Sequence, residues 1–483
     1  MAILSDTQVK PPTANTGTHL LSVLDESQST IPNAIVHLFA YKIDAKSLHN
    51  AITHILPLYP YLSGSLKRCP SSIVLDQRGV RFIVSQSPKR ASFEFGPNNR
   101  ITDLSNQLEW LKSRRKGRVD SLMTVELVYF ACGGSAVKVS AASAVFDMHA
   151  LIQFVGTLAK VFSMGNDAME GVKGIEAPNS DRQLIRSTGP PMQAIHHNEY
   201  RYHLGWFTPI FKYFALLWHA FVVFVLLPRN AFTPREFSVP ATTCQMIHFT
   251  ASQLQALKSA VSKAPSPNST ATVPYISTKD ALTALLLTLI TRARSTRTDI
   301  GPLVAINTEV NARKRLDPPL PDHFTGNSTL YANSRFPTNM FLWPRNSRVR
   351  MEVSLRALST IARGIRKSIL GLTPEYCQDS VNVLSTRNAL VKAPNNLSVD
   401  YEFGPDLLVT SLCGVGLLDV DFGGGRPTFA GPIAGNKDGI VVLLDSCGEG
   451  QGGSVDVVVS LRPEDAITFF AGLEEEWVKE ILG

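Results

Sequence analysis

Hydrophobic residues recur along this chain with two spacings, one typical of strands and one typical of helices. Near the beginning, the apolar segment 31–42 predicts a strand. In the following segment, 45–56, the residues Leu48, Ile52 and Ile55 recur at intervals of four and three, which places them on one helical face. We therefore predict that a strand leads directly into a helix.

Two more strands and a helix are predicted in the same part of the chain. Segments 124–131 and 136–142 are rich in strand-forming residues. The glycine pair 133–134 between them predicts a tight hairpin, because the central residues of such a turn require positive φ. Segment 148–162 has the apolar density of a mostly buried helix, so residues 143–147 connect the end of a strand to a helix.

The second half of the chain repeats this alternation. A strand over 244–249 precedes a helix begun by Thr250, which forms a capping-box pattern with Gln253. Thr278 is predicted to cap the next helix, which is rich in alanine and leucine. The chain then closes with two strands and a helix: 440–445, 455–461 and the segment begun by Pro463.

The length of the chain and the order of these elements predict two domains. A chain of 483 residues, 44% of them hydrophobic, is too long for one ordinary core. Residues 165–203 lack apolar periodicity and are rich in Gly, Pro, Asn and Ser, which is typical of a long connection. We therefore predict an N-terminal domain over 1–203, an apolar segment with a linker over 204–240, and a C-terminal domain over 241–483.

The linker contains a strongly apolar stretch that begins at Trp206 and ends at Leu227. Pro209, Lys212 and His219 interrupt it, and its longest part without a proline or a Lys/Arg/Asp/Glu charge holds 15 residues. A helix of that length extends roughly 22 Å, short of the ~30 Å hydrocarbon core of a membrane. We therefore predict a buried or surface-docking helix rather than a transmembrane span, and we leave open a peripheral contact with a membrane surface.

The charge of the chain argues against a nucleic-acid partner. Lysine and arginine exceed aspartate and glutamate by seven, but the charges are scattered, with one dense basic run at 112–118. A nucleic-acid surface would need a basic stripe interleaved with stacking aromatic residues, and the sequence contains none. The positive balance instead favours a small anionic substrate, such as a nucleotide thioester.

The cysteines and the first residues of the chain indicate an intracellular protein. The six cysteines form no CxxC pair, which argues against both a disulfide framework and a zinc site. The first 18 residues contain no charged leader followed by an apolar run, so no secretory signal is predicted. We expect a monomeric, cytoplasmic protein that binds no metal.

Five segments, in order along the chain, resemble motifs of the BAHD family of coenzyme-A-dependent acyltransferases. They are similar to the LSxLD, yPlaGrl, sTnDaLsA, VdxRxRl…yxGN and DFGWG elements of that family. In this chain the five segments are 21–25 (LSVLD), 58–66 (LYPYLSGSL), 276–284 (ISTKDALTA), 310–327 and 421–427 (DFGGGRP). Each match alone is weak, but five in the right order are a specific resemblance.

The resemblance implies both a fold and a reaction. The fold is α/β, with two chloramphenicol-acetyltransferase-like domains, mixed β-sheets flanked by helices, and a channel at the domain interface. In the reaction, the histidine of an HxxxD motif removes a proton from the hydroxyl or amine that attacks an acyl thioester. Such a general base contributes ~10²–10⁴-fold to the rate. The resemblance therefore implies acyl-CoA as a co-substrate and no bound cofactor.

The motif histidine is missing from this chain. The HxxxDG element falls on residues 143–148, where Ser143 stands in place of the histidine, Asp147 is retained and Met148 replaces the glycine. None of the eleven histidines is followed by an aspartate four residues later. A serine hydroxyl stays protonated near neutral pH, whereas imidazole titrates close to 6.5. Ser143 therefore cannot supply the family's ordinary base.

The other positions of this motif have separate interpretations. Asp147 is implied to be structural and to pair with Arg313 of the second domain, within about 4 Å. Ser143 as a nucleophile would need a partner base and an exposed turn, and no GxSxG element is present, so we favour a small residue that fills the histidine position. His149 is a weak candidate for the missing imidazole, because its place at the start of a helix turns it elsewhere.

The DFGGG element is implied to be structural and to hold the domain interface away from the chemistry. Asp421, Gly423 and Gly425 match the family's element, whereas Gly424 replaces its tryptophan. Because the aromatic anchor is lost, we expect a flexible triple glycine at this position.

Three hypotheses about function follow. The first is an acyltransferase of secondary metabolism, which transfers an acyl group from acyl-CoA to a hydroxyl or amine of a small molecule. The second is a repurposed scaffold that acts as a cyclase, isomerase or pericyclase on a natural-product intermediate. The third is an inactive homologue that binds or regulates. The resemblance favours the first, and the missing histidine favours the other two.

Overall fold

The structure, a computed structural model, describes most of the chain. The described residues are 1–13, 16–27, 32–68, 71–88, 100–101, 121–165, 172–200, 242–265, 273–297, 300–342, 350–386, 404–432, 437–447 and 452–483. The predicted linker 204–240 and its apolar stretch lie outside these ranges, so the domain boundaries stay a prediction. Within the described ranges, no helix is both long enough and apolar enough to span a bilayer.

The described strands are distributed along the whole chain. In chain order they are β1 Ala2–Val9, β2 Gly17–Leu20, β3 Asn33–Phe39, β4 Ser65–Arg68, β5 Ser71–Leu75, β6 Val80–Ser87, β7 Arg100–Ile101, β8 Met123–Phe130, β9 Ser135–Ala141, β10 Thr243–Phe249, β11 Leu303–Asn311, β12 Thr329–Pro337, β13 Leu407–Ser411, β14 Phe429–Pro432, β15 Ile440–Asp445 and β16 Val455–Leu461.

The described α-helices alternate with these strands. In chain order they are α1 Val23–Glu26, α2 Ala45–Ile55, α3 Met148–Ser163, α4 Ala251–Lys263, α5 Thr278–Ala293, α6 Arg350–Leu370, α7 Pro374–Thr386, α8 Pro463–Leu473 and α9 Glu476–Leu482. Helix α5 lies among α4, α6 and α8, and for this reason nearly all of its residues are buried.

The described strands form two large mixed sheets and one small sheet. The first sheet has the order β1-β6-β8-β9-β3-β14, and the second has the order β12-β11-β13-β15-β16-β10-β7. Strands β2, β5 and β4 form the small sheet. Parallel pairs, such as β6 with β8 and β11 with β13, occur beside antiparallel ones. The predicted α/β fold with mixed sheets flanked by helices is confirmed.

Each half of the chain contributes a strand to the sheet of the other half. Strand β14, from the second half, pairs with β3 at the edge of the first sheet. Strand β7, from the first half, pairs with β10 at the edge of the second sheet. The two halves are therefore joined by backbone hydrogen bonds as well as by side chains.

The second sheet packs against a different core on each face. In β15, Val441 and Leu443 belong to the core formed with α5 and α6, whereas Val442 and Leu444 belong to the core of the first sheet. Successive side chains of a strand point to opposite faces, which produces this alternation. One face of the second sheet is therefore directed toward the first half of the chain.

The two predicted helix starts in the second half differ in their outcome. The capping box of Thr250 and Gln253 is present, since each side chain accepts a hydrogen bond from the other residue's backbone N–H. The cap of α5, however, is Ser277 and not Thr278. Ser277 forms a reciprocal capping box with Asp280, and this carboxylate completes it because it lies three residues after the serine.

The hairpin between β8 and β9 also differs in detail from its prediction. Gly133 has the predicted positive φ, +87°, but Gly134 does not. Gly134 is needed for another reason, because a Cβ there would lie 2.7 Å from the backbone oxygen of Phe39. The closing elements β15, β16 and α8 occur where the sequence predicts them.

Candidate functional site

Asp147 lies at the junction between β9 and α3, where it caps the helix. It is buried, and its Oδ1 accepts a hydrogen bond from the backbone N–H of Ala150 at 2.8 Å. The first turn of a helix leaves such N–H groups without partners inside the helix, and an aspartate at the N-cap satisfies one of them. The local sequence therefore fixes the direction in which Asp147 points.

Arg313 binds both oxygens of Asp147. Its Nη1 donates to Oδ2 at 2.8 Å and its Nη2 to Oδ1 at 3.0 Å. The contact that the sequence predicts between these two residues is therefore present. Burial alone raises the pKa of Asp147, but the Arg313 guanidinium and the backbone N–H groups of Ala150 and Ser328 hold this pKa below its ordinary value.

Ser143 is buried, and its backbone is held by a second network. The carbonyl oxygen of Ser143 accepts a hydrogen bond from Asn327 Nδ2 at 2.8 Å. Asn327 also donates to the fully buried Asp25, from its backbone N–H at 2.9 Å and from Nδ2 at 2.8 Å. Asp25 in turn forms an ion pair with Arg182, with 3.1 Å between Oδ2 and Nε. The LSVLD segment and the 310–327 segment therefore meet at Ser143.

His149 follows Asp147 on the first turn of α3 and is partly buried. Burial, together with the nearby Arg313 charge, lowers the pKa of His149. Among the described residues, its Nδ1 has no hydrogen-bond partner. These surroundings favour the neutral ring, and among the described residues no contact joins it to Ser143.

The DFGGG element forms a tight turn around one carboxylate. Oδ1 of Asp421 accepts from the backbone N–H groups of Gly423, Gly424 and Gly425 at 2.7, 3.1 and 2.9 Å. Gly423 and Gly425 have φ values of +89° and +106°, which glycine adopts without strain. These backbone hydrogen bonds, that of Gly425 first, lower the pKa of Asp421.

Tyr41 explains why position 424 is a glycine. A Cβ at Gly424 would lie 2.6 Å from ring carbons of Tyr41. The Tyr41 hydroxyl also donates to the Gly425 carbonyl at 3.1 Å, and Phe422 packs edge-on against Phe39 with a centroid distance of 5.6 Å. In place of the expected loose triple glycine, the structure has a hydrogen-bonded turn that is covered by a ring from the first half of the chain.

The structure also reveals polar residues that the sequence interpretation missed. Asn307 and Glu309 lie on β11, and Thr410 lies on the neighbouring strand β13. Glu309 is hydrogen-bonded to Thr410. The side chain of Asn307 is fully buried, and its Oδ1 accepts from Asn333 Nδ2 at 2.7 Å. Their signal in the sequence was the polar run within LVAINTEVN, in which positions 307, 309 and 311 share one face of a strand.

Burial among protein atoms raises the pKa of Glu309, and the negative charge of Asp147 raises it further, while the hydrogen bond from Thr410 acts in the opposite direction. The pKa of Asp147 is therefore below its ordinary value, whereas the pKa of Glu309 is above its own. In the part of the chain that the structure describes, no group of three or more His, Cys, Asp or Glu side chains is placed to hold a metal ion.

Comparison with known proteins gives a consistent result over the length of the chain. A family model described as Transferase family matches residues 3–213 and 215–476. Hydroxycinnamoyltransferase 1 of Oryza sativa subsp. japonica is 23% identical over 431 residues, which cover 87% of this chain and 85% of that protein. Agmatine coumaroyltransferase-1 of Hordeum vulgare is 26% identical over 354 residues, which cover 72% of this chain and 69% of that protein.

Two solved structures share the fold. Vinorine synthase has a TM-score of 0.62 at 16% identity, over 96% of both chains. F. graminearum TRI101, complexed with coenzyme A and deoxynivalenol, has a TM-score of 0.64 at 15% identity, over 96% of this chain and 99% of that chain. The likeness shows that the two-domain α/β architecture is shared.

Proposed function

This chain belongs to the BAHD family of acyltransferases, and on this premise we propose that it transfers an acyl group from acyl-CoA to a hydroxyl or amine of a small molecule of secondary metabolism. The observation that carries the proposal is the complete support around position 143. Asp147 and Arg313 form a buried two-point ion pair, and Asn327 binds the Ser143 carbonyl. These contacts hold the junction in the arrangement that the family's motif requires, and loss of either charge would leave the other buried without a partner.

The donor class is supported by the relatives and by charge. Relatives of this chain are named for hydroxycinnamoyl and coumaroyl transfer, and the TRI101 structure contains coenzyme A. A net charge of +7 favours the approach of a polyanionic thioester. We therefore propose acyl-CoA as a co-substrate rather than as a bound cofactor.

Ser143 is proposed to fill the position of the motif histidine without acting as a base. Its hydroxyl stays protonated in the working range of pH. Correct positioning of donor and acceptor can by itself contribute about 7–11 kcal/mol to the lowering of the barrier. A remaining proton acceptor must then come from another residue or from the substrate.

A thiol-release assay tests this proposal. Wild-type protein is supplied with acetyl-CoA, malonyl-CoA and p-coumaroyl-CoA, each with shikimate or agmatine as the acceptor, and free coenzyme A is followed. We expect release with at least one pair, and a faster release in Ser143→His. His196→Gln serves as the control and should change the rate by less than about twofold, because that side chain is exposed. Wild-type protein that releases no thiol, while Ser143→His does, would overturn the proposal.

Position 143 itself favours a second candidate function. A complete BAHD scaffold without the catalytic histidine suits a cyclisation or isomerisation, because such a reaction needs a shaped pocket and hydrogen bonds more than proton removal. Deletion of the gene tests this candidate. If the yield and the stereochemistry of the pathway product stay unchanged, the second function is excluded.

The predictions of a monomer, of a cytoplasmic location and of peripheral membrane contact stay predictions. The apolar stretch from Trp206 to Leu227 lies outside the described residues. Partition between soluble and microsomal fractions, with and without this stretch, measures the membrane contact directly.

A further inference from the structure

A strip of polar side chains lies on the face of the second sheet that is directed toward the first half of the chain. We define this polar strip as Asn307, Glu309 and Thr410. In β11, Val304 and Ile306 pack into the core behind the sheet, so Asn307 and Glu309 point to the opposite face. That face packs against the first half farther along the sheet, as the side chains of β15 show.

The strip continues directly into the support of Ser143. Asn311 lies two residues beyond Glu309 on the same face of β11, about 6.6 Å farther along the strand. Its Oδ1 accepts from Arg313 Nη1 at 3.2 Å and from Ser328 Oγ at 3.1 Å. Both of these residues bind Asp147. Glu309 is therefore the next carboxyl group along the wall that holds the motif.

The surroundings of Glu309 favour a neutral carboxyl group and do not stabilise its charge with a cation. Three influences shift its pKa: burial, the hydrogen bond with Thr410 and the charge of Asp147. The titratable groups that face it are Asp147, from the turn before α3, and Tyr331, which lies opposite it on β12. A carboxylate whose pKa is raised is a stronger base near neutral pH than an ordinary one.

Asn307 provides a separate indication that a ligand binds here. Its side chain is fully buried, and within the described residues its Nδ2 has no hydrogen-bond acceptor. Buried amide groups are nearly always paired in native proteins, so an orphan one indicates an absent partner. An oxygen of a bound substrate, such as a carbonyl or a hydroxyl, has the required acceptor chemistry.

We propose that the Glu309 carboxylate is the general base of this enzyme and that it replaces the histidine missing from position 143. This inference rests on the proposed acyl transfer. Glu309 takes the proton of the acceptor O–H or N–H while that oxygen or nitrogen bonds to the thioester carbonyl carbon. The carbon–sulfur bond then breaks, and the proton passes from Glu309 to the departing thiolate. The products are an ester or amide and free coenzyme A, and the protein is unchanged.

The test compares three variants of the full-length protein with the acyl-CoA and acceptor pair found in the thiol-release assay. Glu309→Gln should lower kcat by ~10²–10⁴-fold and change KM little, because it removes the base and keeps the shape of the side chain. Glu309→Asp keeps a carboxylate on a shorter side chain, so its kcat should be lower than that of wild type and should still fall at acid pH. Glu480→Gln, on the exposed face of α9, is the control for the same change of charge and should behave like wild type.

The pH profile separates a base from a structural carboxylate. Since the base must be ionised, wild-type kcat should fall as the pH drops through the raised pKa of Glu309, and Glu309→Gln should lose this dependence. Thr410 is a positioning residue. Its hydrogen bond lowers the pKa of Glu309, so Thr410→Val should move the acid limb to higher pH.

The outcomes distinguish this inference from the proposed function. A Glu309→Gln protein with the wild-type kcat and pH profile overturns the role of Glu309 and leaves acyl transfer standing. Wild-type protein that transfers to no acceptor overturns the proposed function, and this inference with it. Binding of coenzyme A alone, measured by calorimetry, checks that Glu309→Gln is folded, and its affinity should stay within about twofold of wild type. If Glu309→Gln does not fold, the Glu309→Asp profile decides, because loss of its acid limb would contradict the proposal.

Discussion

Asp147 and Glu309 are two carboxyl groups near the same interface, and their surroundings differ in kind. Asp147 accepts hydrogen bonds from Arg313, Ser328 and Ala150, and its pKa is lowered. Glu309 has Thr410 as its hydrogen-bond partner, none of the described residues places a cation beside it, and its pKa is raised. A buried carboxylate that is paired with a cation and fully hydrogen-bonded serves a structural role. A carboxyl group without a cationic partner stays available for proton transfer. The first carboxylate therefore belongs to the frame and the second to the reaction.

The largest expected effect is the loss of the cation in the frame. Arg313→Met leaves Asp147 buried without its partner, which should lower the free energy of unfolding by about 3–5 kcal/mol. Denaturant unfolding measures this loss. Lys314→Met is the neighbouring control, because its side chain is 79% exposed, and it should change stability by less than about 0.5 kcal/mol. A loss below ~1 kcal/mol in Arg313→Met would remove the distinction between the two carboxylates.

The contact between Tyr41 and Gly424 involves no charge, and it tests how much packing contributes to stability. Gly424→Ala places a methyl group against the Tyr41 ring, which should lower the free energy of unfolding by about 1–3 kcal/mol. Tyr41→Ala in the same chain should recover part of this loss. Gly452→Ala is the control, since no atom lies within 4 Å of the added Cβ. If Gly424→Ala unfolds like wild type, Tyr41 does not determine the residue at this position.

A second buried cluster, around His197, also has all of its charges paired, and it predicts a pH dependence of stability. His197 is fully buried, and its ring nitrogens lie 3.0 Å from Glu199 and 2.9 Å from Asp379. Burial opposes the charge of the ring, but the hydrogen bonds to these two carboxylates raise the pKa of His197 above 6.5. The stabilisation is therefore complete below the unfolded-state pKa and is lost as the pH rises through the folded-state pKa.

We expect wild-type stability to fall as the pH rises above about 6.5 and through the raised pKa of His197, and His197→Gln to lack that fall. His196→Gln is the control, because that side chain is exposed. Unfolding curves recorded from mildly acid to alkaline pH provide the measurement. The same slope in wild type and in His197→Gln would show that the cluster does not carry a charged histidine.

The smallest expected effect is a gain in stability, in Glu309→Gln. Because the folded-state pKa of Glu309 is raised, the ionised carboxylate lowers stability above that pKa, and this loss disappears as the pH falls. Glu309→Gln should therefore raise the free energy of unfolding at neutral pH by roughly 0.5–1 kcal/mol while activity is lost. A decrease in stability would instead place Glu309 in the frame beside Asp147.

The parts of the molecule that follow from local rules were predicted well. The closing strands β15 and β16 have the predicted bounds, helix α8 begins at the predicted Pro463, and the cap of Thr250 is present. The Asp147 contact with Arg313 was also predicted, because a resembling motif occurs at each end of it. The cap of α5 was misplaced by one residue, since Ser277 and Thr278 are both good caps and only the position of Asp280 selects between them.

By itself, the sequence determined the alternation of strands and helices, the family frame and the loss of the histidine at position 143, because these depend on residue order. Tertiary structure alone decided the role of the polar residues between the halves. In LVAINTEVN the polar positions are typical of a solvent-facing side, and only the folded chain partly buries Glu309 and brings it near Asp147. Tyr41 and Gly425, 384 residues apart, are likewise joined only in the folded chain. Burial and contact between distant segments change the chemistry of a side chain, and neither is a property of local sequence.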